Sequence, residues 1–309
     1  MNEDKWNIVP PKGLPWISRL NDLMLGSDLP ILNGNNLYIA SDYSGSHKKS
    51  KYETISILIV DVDNSREWFE ERRKIRNKYL PEGRRMSYKT LNDKYRQNAL
   101  LPFLYATNYI HGICVNLSFR KNKTIKFITK ENVANTLASA PFRARWSWKD
   151  LDSLFRVIFF VSFFIAGFAK DGQNIYWMSD EDAILANQDR TKDALMLLSA
   201  FAEEYVDKNL GDLGQGTTIY DDSDRINEDF VSIPDLSAGA LSELFTLICD
   251  SYGKIAFGLY NEIPKNISLK SAPIISWLGC RIGNLKKLVL LFEPAVKDMF
   301  KISYVRLNS

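Results

Sequence analysis

Cysteine and histidine are scarce in this chain of 309 residues, which contains three cysteines and two histidines. Cys114, Cys249 and Cys280 are widely spaced in apolar surroundings, which argues against a disulfide framework or a zinc finger and predicts reduced core thiols. His47 and His111 have no partner at zinc-ligand spacing, and His111 is predicted to be structural. Any chemistry in this protein should therefore depend on other side chains.

Also absent is an apolar run long enough to cross a bilayer. Residues 157–169, VIFFVSFFIAGFA, come closest, but a transmembrane helix needs about 18 to 20 apolar residues, and Arg156 and Lys170 bracket the run. A membrane segment is the alternative, but a helix that is apolar all round is typical of a large core, so we predict a buried helix. Residues 1–14 lack the apolar centre of a signal peptide, so we expect a cytoplasmic protein with no membrane partner.

An excess of one charge sign is missing as well, because 40 Lys and Arg residues face 37 Asp and Glu residues, for a net charge of +3. The distribution is nevertheless uneven. Basic residues with interleaved aromatics fill 66–96, which we call the first basic segment. A second basic segment comprises Arg120, Lys121, Lys123, Lys126, Lys130, Arg143, Arg145 and Lys149. Such segments are typical of a channel for a polyanion, and the alternative is a set of solvated helix faces.

The order of predicted elements indicates an α/β protein. Strands are predicted at 36–42 and 53–61, joined as a hairpin, and at 112–119 and 174–178, with 124–128 as a partner of the third. Helices are predicted at 16–23, 65–79, 91–109, 150–169, 189–206, 234–252 and around 283–299, with a loop at 207–231. Strands followed by alternating strands and helices indicate a mixed sheet covered by helices.

Three groups of carboxylates stand where such a sheet could hold a cation. Asp42 ends the first strand, before Tyr43-Ser44-Gly45, and the cluster Asp180-Glu181-Asp182 closes the strand at 174–178. Asp235 lies beside Pro234 with small residues after it. Clustered carboxylates repel each other unless a cation compensates, so they are plausible Mg²⁺ ligands. Each also has a structural alternative: a turn-forming Asp, a helix N-cap, and a capping box from Ser232 to Asp235.

These motifs together resemble a large bacterial RNase H-like domain-of-unknown-function family that opens with Asp-Glu-Ser-Gly. The matching pieces, in the family's order, are Asp-Tyr-Ser-Gly at 42–45, Ser-Tyr-Lys at 87–89, Asp-Glu at 180–181 and Ile-Pro-Asp-Leu-Ser-Ala-Gly-Ala at 233–240. Two positions depart from the pattern. Tyr43 replaces the Glu beside the first Asp, and Ser87 stands where the family commonly has Glu.

The resemblance implies an RNase H-like mixed sheet with a carboxylate site for Mg²⁺ or Mn²⁺. Asp42, Asp180 and Asp235 would bind the metal, with Asp182 as a further catalytic acid and Lys89 as a catalytic, phosphate-facing base. From the first basic segment, Arg73, Arg84, Arg85 and Lys89 are predicted to bind nucleic acid. A missing Glu at Ser87 would leave a single ion or abolish activity, because a two-metal site needs several carboxylates.

Two functions remain open on the sequence. The first is a metal-dependent nuclease acting on DNA or RNA, for which the resemblance implies a phage-defence or mobile-element context and a partner protein of the same operon. The second is a degenerate module of the same fold that binds nucleic acid or a partner protein without cutting. In either case we expect a leader at 1–35, a core with inserted helices at 36–255, and a helical extension at 256–309 packed on it.

Overall fold

The centre of the structure, a computed structural model, is a seven-stranded mixed sheet with helices on both faces. The structure describes residues 6, 8, 15–121, 126–221, 224–253, 259–260, 263–295 and 300–307. The helices are α1 Pro15–Leu25, α2 Arg66–Tyr79, α3 Lys94–Ala106, α4 Val133–Ala138, α5 Trp148–Phe168, α6 Gln188–Tyr205, α7 Ile226–Tyr252 and α8 Ser271–Gly279. The strands are β1 Asn36–Ser44, β2 Tyr52–Asp61, β3 Gly112–Arg120, β4 Asn174–Ser179, β5 Leu213–Thr217, β6 Leu259–Tyr260, β7 Leu285–Pro294, β8 Phe300–Tyr304 and β9 Arg306–Leu307.

The sheet has the order β5-β4-β1-β2-β3-β7-β8. β1, β2 and β3 form an antiparallel meander, while β4 pairs in parallel with β1 and β5 in parallel with β4. On the other side, β7 pairs in parallel with β3, and β8 returns antiparallel to β7. The predicted α/β mixed sheet flanked by helices is therefore confirmed, including the hairpin of the first two strands.

Alternating side chains of the sheet feed two separate cores, as expected for a sheet covered on both faces. Ile57 and Ile59 of β2 pack with the apolar residues of α1, α5 and α6. Leu58 and Val60 of the same strand face the other way and pack with α2, α3, α7 and α8. We refer to these sides as the α5 face and the α7 face.

The apolar run at 157–169 is a buried helix, as predicted. Phe159, Phe160, Phe163 and Phe164 of α5 are each at most 1% exposed. By length and composition α5 and α7 could both cross a membrane, but 89% and 78% of their most apolar windows are buried within the protein. Burial on this scale is typical of the core helices of a soluble protein.

The C-terminal region differs from the predicted helical extension. Residues 285–294 form β7, which lies inside the sheet between β3 and β8, so the helix predicted around 283–299 is wrong. The only regular helix in the described part of 256–309 is α8. A short apolar run such as Leu288–Phe292 fits a buried strand or a buried helix equally well, and only its neighbours decide. The domain boundaries themselves stay predictions.

Two smaller predictions also need correction. The predicted loop at 207–231 contains β5 and the first residues of α7. The sequence of β5, LGQGT, has two glycines and only one β-branched residue, Thr217, so it does not resemble a strand. The strand predicted at 124–128 as a partner of β3 lies partly outside the described residues, which omit 122–125. Its described part, 126–128, is not a strand. The two neighbours of β3 are β2 and β7.

Candidate active site

The ends of two parallel strands bring the first carboxylates together. Ser41 of β1 pairs with Ser179 of β4, so the next residues along the two strands are Asp42 and Asp180. In β1, Tyr38 and Ala40 belong to the core of the α7 face, and alternation places Asp42 on that face too. The close hairpin after Asp42 needs Gly45, which has φ +95°, because a Cβ there would lie 2.1 Å from the carbonyl oxygen of Tyr52.

Helix α7 supplies the third carboxylate from the middle of its length. Asp235 is the one residue between 229 and 242 that is not buried, so this helix opens to solvent at that acid. The backbone N–H of Tyr88 donates to Asp235 Oδ2 at 2.8 Å. The side chain of Ser87 donates to the same carboxylate. These two donors fix the carboxylate against the 3-10 turn Tyr88–Thr90.

The capping-box alternative for Asp235 is wrong, because α7 begins at Ile226 and contains Pro234 in its interior. The Ser232 hydroxyl lies 2.6 Å from the carbonyl oxygens of Met86 and Glu228, and it caps no helix start. Proline is frequent at the first position of a helix, which made Pro234 resemble a start. Here it only removes the N–H that would have bonded to the carbonyl four residues before it.

Burial and mutual repulsion act on the acids of this cleft. Burial raises the pKa of Asp42 well above its ordinary value, and the charges of Asp235, Asp182 and, more weakly, Asp180 raise it further. Burial also raises the pKa of Asp235, against the hydrogen bonds from Tyr88 and Ser87 and the charge of Arg85. Asp42 and Asp235, nearly two hundred positions apart in the sequence, are therefore close enough for the charge of one to act on the other, and their joint ionisation is unfavourable without a cation.

Asp180 is largely occupied by protein donors. Its Oδ1 accepts from Arg85 Nη1 at 2.7 Å, from the N–H of Glu181 at 2.9 Å and from the Thr218 hydroxyl at 3.1 Å. Burial would raise the pKa of Asp180, but the hydrogen bond and charge of Arg85 outweigh it and hold the pKa below its ordinary value. Arg85 thus supplies one positive charge to the acidic cleft from within the protein.

Asp182 is held by its own loop. It accepts the N–H of Ile184 at 2.9 Å and a hydrogen bond from the Tyr43 hydroxyl. Burial raises the pKa of Asp182 against these two bonds. The helix N-cap expected at Ser179 or Asp180 is not observed: the turn at 183–185 is capped by Asp182, and α6 has its N-cap at Asn187. In the cleft, Asp182 holds the Tyr43 hydroxyl and adds negative charge.

Asp42 and Asp235 keep the most acceptor capacity for a ligand. In the described part of the chain, Asp42 accepts one hydrogen bond, from the N–H of Tyr43 at 2.6 Å, and Asp235 accepts those of Tyr88 and Ser87. Among described residues, no group of three or more Asp, Glu, His or Cys side chains is arranged to hold a metal ion together. The centre of the site is accordingly a pair of carboxylates, with Asp180 and Asp182 beside it.

The residues predicted to contact phosphate are distributed unevenly around the cleft. Arg85 lies in it, but as the partner of Asp180. Arg84 pairs with Glu82 and covers the ring of Tyr95 at 4.3 Å, so it is engaged outside the acidic cleft. Lys89 is exposed in the turn after Ser87 and Tyr88, and Arg73 lies on α2 near Asp224. None of these three contacts the four carboxylates of the cleft.

Two other arginines of the first basic segment hold helices together. Arg72 is completely buried, and Arg76 nearly so; both bind the buried carboxylate of Asp229 in α7. The bonds are 2.8 Å from Arg72 Nη1, and 2.7 and 2.6 Å from Arg76 Nε and Nη2. These arginines are unavailable to a polyanion, and neither the channel nor the solvated-face interpretation describes them.

Sequence reasoning missed the groups that position the acids. Ser87 stands where the resemblance leads one to expect Glu, and its side chain donates to Asp235. Tyr43 also departs from the expected motif, and its hydroxyl donates to Asp182. Each of these two side chains places a hydroxyl beside a carboxylate of the site. Their positions within the motifs at 42–45 and 87–89 are a signal that could have identified them.

The small residues after Asp235 make room for Tyr88. A Cβ on Gly239 would lie 2.2 Å from Cγ of the Tyr88 ring. We expect Gly239→Ala to push this ring away, to destabilise the fold by about 1–3 kcal/mol as overpacking does, and to disturb the Tyr88 N–H bond to Asp235. Thermal unfolding and a divalent-metal titration measure the two effects; unchanged stability together with unchanged metal affinity would contradict this account.

Two comparisons with known proteins were made. A scan against models of known protein families found no match. A search of curated proteins found no relative either.

Proposed function

We propose that this protein is a divalent-metal-dependent nuclease that hydrolyses phosphodiester bonds of DNA or RNA. The observation that carries the proposal is the Asp42–Asp235 pair, two interacting carboxylates that open to solvent at the end of β1. The meander β1-β2-β3, with β4 and β5 parallel on the other side of β1, is consistent with the RNase H-like sheet expected from the sequence motifs.

The chemistry of the pair fits Mg²⁺ or Mn²⁺. Mg²⁺ is commonly held by one or two carboxylates, with water and substrate phosphate filling its other positions. Asp42 and Asp235 would hold the ion, and Asp180 lies beside them with its charge partly compensated by Arg85. A bound ion would activate water and stabilise the charge that develops on the phosphate. Arg85 would orient a phosphate oxygen at the same edge, as guanidinium groups commonly do.

A cleavage assay tests the proposal. Labelled single- and double-stranded DNA and RNA are incubated with the protein in Mn²⁺, in Mg²⁺ and in chelator, and Mn²⁺ binding is followed by the rise in melting temperature. We expect cleavage of at least one substrate with metal and none with chelator. No metal-dependent stabilisation and no cleavage of any substrate would overturn the nuclease proposal.

A second candidate is a non-cleaving module of the same fold that binds nucleic acid. Two observations favour it: Ser87 replaces the carboxylate expected from the motif, and Arg85 already occupies Asp180. This protein would bind nucleic acid in the presence and absence of metal alike, and it would show no product in the cleavage assay. The same experiment therefore separates the two functions.

The cellular setting is inferred less directly. We propose a cytoplasmic protein, since both apolar helices are mostly buried in the fold. Action in phage defence or in a mobile element, with a partner protein of the same operon, rests on the motif resemblance alone. Co-expression with the neighbouring gene products and purification of the complex would test for that partner.

A further inference from the structure

Exposed cations of the second basic segment form a surface of a different kind from the first. Those in the described part of this surface, beyond β3, are Lys126, Lys130, Arg143, Arg145 and Lys149, and all five are exposed. None of them forms an ion pair with another described residue. Lys123 lies outside the described residues. We call these five cations, with Trp148, the 126–149 surface.

Most cations of the first basic segment already form ion pairs with carboxylates of the protein. Arg72 and Arg76 are bound to Asp229, Arg84 to Glu82, Arg85 to Asp180, and Arg96 to Asp93. On its exposed side, Arg66 pairs with Glu70 and Lys74 with Glu71. Cations that already have carboxylate partners release few counterions when a polyanion binds, so this segment is a poor phosphate track.

A rigid frame presents the arginines of the 126–149 surface. Asp193 of α6 accepts the N–H groups of Arg143 and Ala144 at 2.8 and 2.9 Å, and the indole N–H of Trp146 at 2.8 Å. Burial alternates along this stretch, with Arg143 and Arg145 exposed and Trp146 buried. Both guanidinium groups are therefore exposed to solvent on a stretch of backbone that Asp193 anchors at Arg143 and Ala144.

Two lysines of this surface lie near one aromatic ring. The ammonium groups of Lys126 and Lys149 lie 5.8 and 5.7 Å from the centre of the half-buried Trp148 ring. Asp152 of α5 fixes the neighbouring chain by accepting the N–H groups of Phe127 and Ile128 at 2.7 and 2.9 Å. A half-buried ring with cations close to it is suited to stack on an unpaired base while the cations contact adjacent phosphates.

This surface adjoins the carboxylate cleft. Arg190 Nη2 donates to the carbonyl oxygen of Arg145 at 3.2 Å and pairs with Asp150 at 3.4 Å, while Nη1 donates to the carbonyl of Ala183, next to Asp182. Besides burial, the charges of Asp182, Asp42 and Asp150 raise the pKa of Tyr43, so Asp150 lies near this tyrosine. The start of α5 and the loop after β4 are thus one connected rim.

We propose that the 126–149 surface binds single-stranded nucleic acid and leads the strand to the Asp42–Asp235 pair. The proposal rests on the proposed function and adds the path of the substrate. Single strands fit better than a duplex, because base faces are available for stacking on Trp148 only where they are unpaired. The residues predicted from the first basic segment have no comparable role on this path, except Arg85 within the cleft.

Fluorescence anisotropy with labelled single-stranded DNA, single-stranded RNA and a matched duplex tests this path. Binding is measured in chelator, so that no cleavage interferes. For Arg143→Glu/Arg145→Glu we expect single-strand affinity to fall about 10-fold or more and the slope of log K against log salt to fall by about 1 to 1.5. The control Arg66→Glu/Lys74→Glu introduces the same charge change in the first basic segment and should change affinity less than about threefold.

The outcomes separate this inference from the nuclease proposal. Equal weakening by both double variants, or tighter binding of duplex than of single strand, would overturn the path even if wild-type protein cleaves in Mn²⁺. Wild-type protein that neither binds nor cleaves would overturn both. Melting temperatures of both variants, expected to match wild type because the side chains are exposed, exclude unfolding as the cause.

Discussion

Replacing Asp42 or Asp235 by Asn is expected to lower divalent-metal affinity and metal-dependent cleavage by about 100-fold or more. Loss of groups that merely orient a metal ligand typically costs 10- to 100-fold, so loss of a ligand charge should cost at least as much. The amide keeps the size of the carboxylate, and both positions are partly exposed to the cleft, so the core should remain intact. Cleavage rates and Mn²⁺ titrations measure the effect.

Glu181→Gln is the matched control for this prediction. Glu181 lies between Asp180 and Asp182 in the sequence, but its side chain is exposed to solvent. We expect its removal to leave metal affinity and cleavage within about twofold of wild type, as is usual for exposed surface positions. Equal losses in Glu181→Gln and Asp42→Asn would show that general negative charge matters, and would contradict a site centred on Asp42 and Asp235.

The same Asn variants should reverse their effect on stability when metal is absent. The folded-state pKa of Asp42 is raised, so its proton contributes stability that is fully present below the unfolded pKa of about 3.9 and is lost as pH rises through the folded value. In chelator, wild type should therefore lose stability relative to Asp42→Asn as the pH rises above about 4. Melting temperatures across this range measure the difference; a constant difference would contradict the raised pKa.

Removing the carboxylate of Asp229 is expected to have the largest effect on stability, about 3–5 kcal/mol for Asp229→Ala. The change removes the buried carboxylate shared by Arg72, which is completely buried, and the nearly buried Arg76, and it leaves Arg72 paired with Asp224 at 2.7 Å and Arg76 with Glu228 at 3.8 Å. Loss of a partner from a buried charge cluster is far more costly than the loss of a surface pair. Denaturant unfolding at neutral pH measures the effect.

Two further variants test the cause of this loss. Arg66→Ala removes an exposed arginine from the same helix and should change stability by less than about 0.5 kcal/mol. Replacing Arg72, Arg76 and Asp229 together by Met, Met and Leu should restore most of the stability, because buried ion clusters can be replaced by apolar groups at little cost. A triple variant as unstable as Asp229→Ala would refute the buried-charge explanation.

Local sequence determined most of the elements because their patterns are long or strong. β2 is rich in β-branched residues, β1 follows a Gly/Asn turn, and α5 is too apolar for any place but a core, so the sequence predicts these elements close to their observed bounds. β7 was mistaken for a helix, since Leu288–Phe292 is apolar without a period, and pairing with β3 decides its conformation. β5 was missed because LGQGT has little strand propensity outside the sheet.

The sequence by itself also singled out four acids, because Asp42, Asp180, Asp182 and Asp235 stand at recognisable motif positions. Only the tertiary structure decided how they are placed: strand register puts Asp42 beside Asp180, and α7 carries Asp235 to the same edge from nearly two hundred positions away. It also decided which cations are free. Arg72 and Arg143 are the same residue type in similar basic surroundings, yet one is buried against Asp229 and the other is exposed to solvent. Residue type sets a charge, but burial and partners set what that charge can bind.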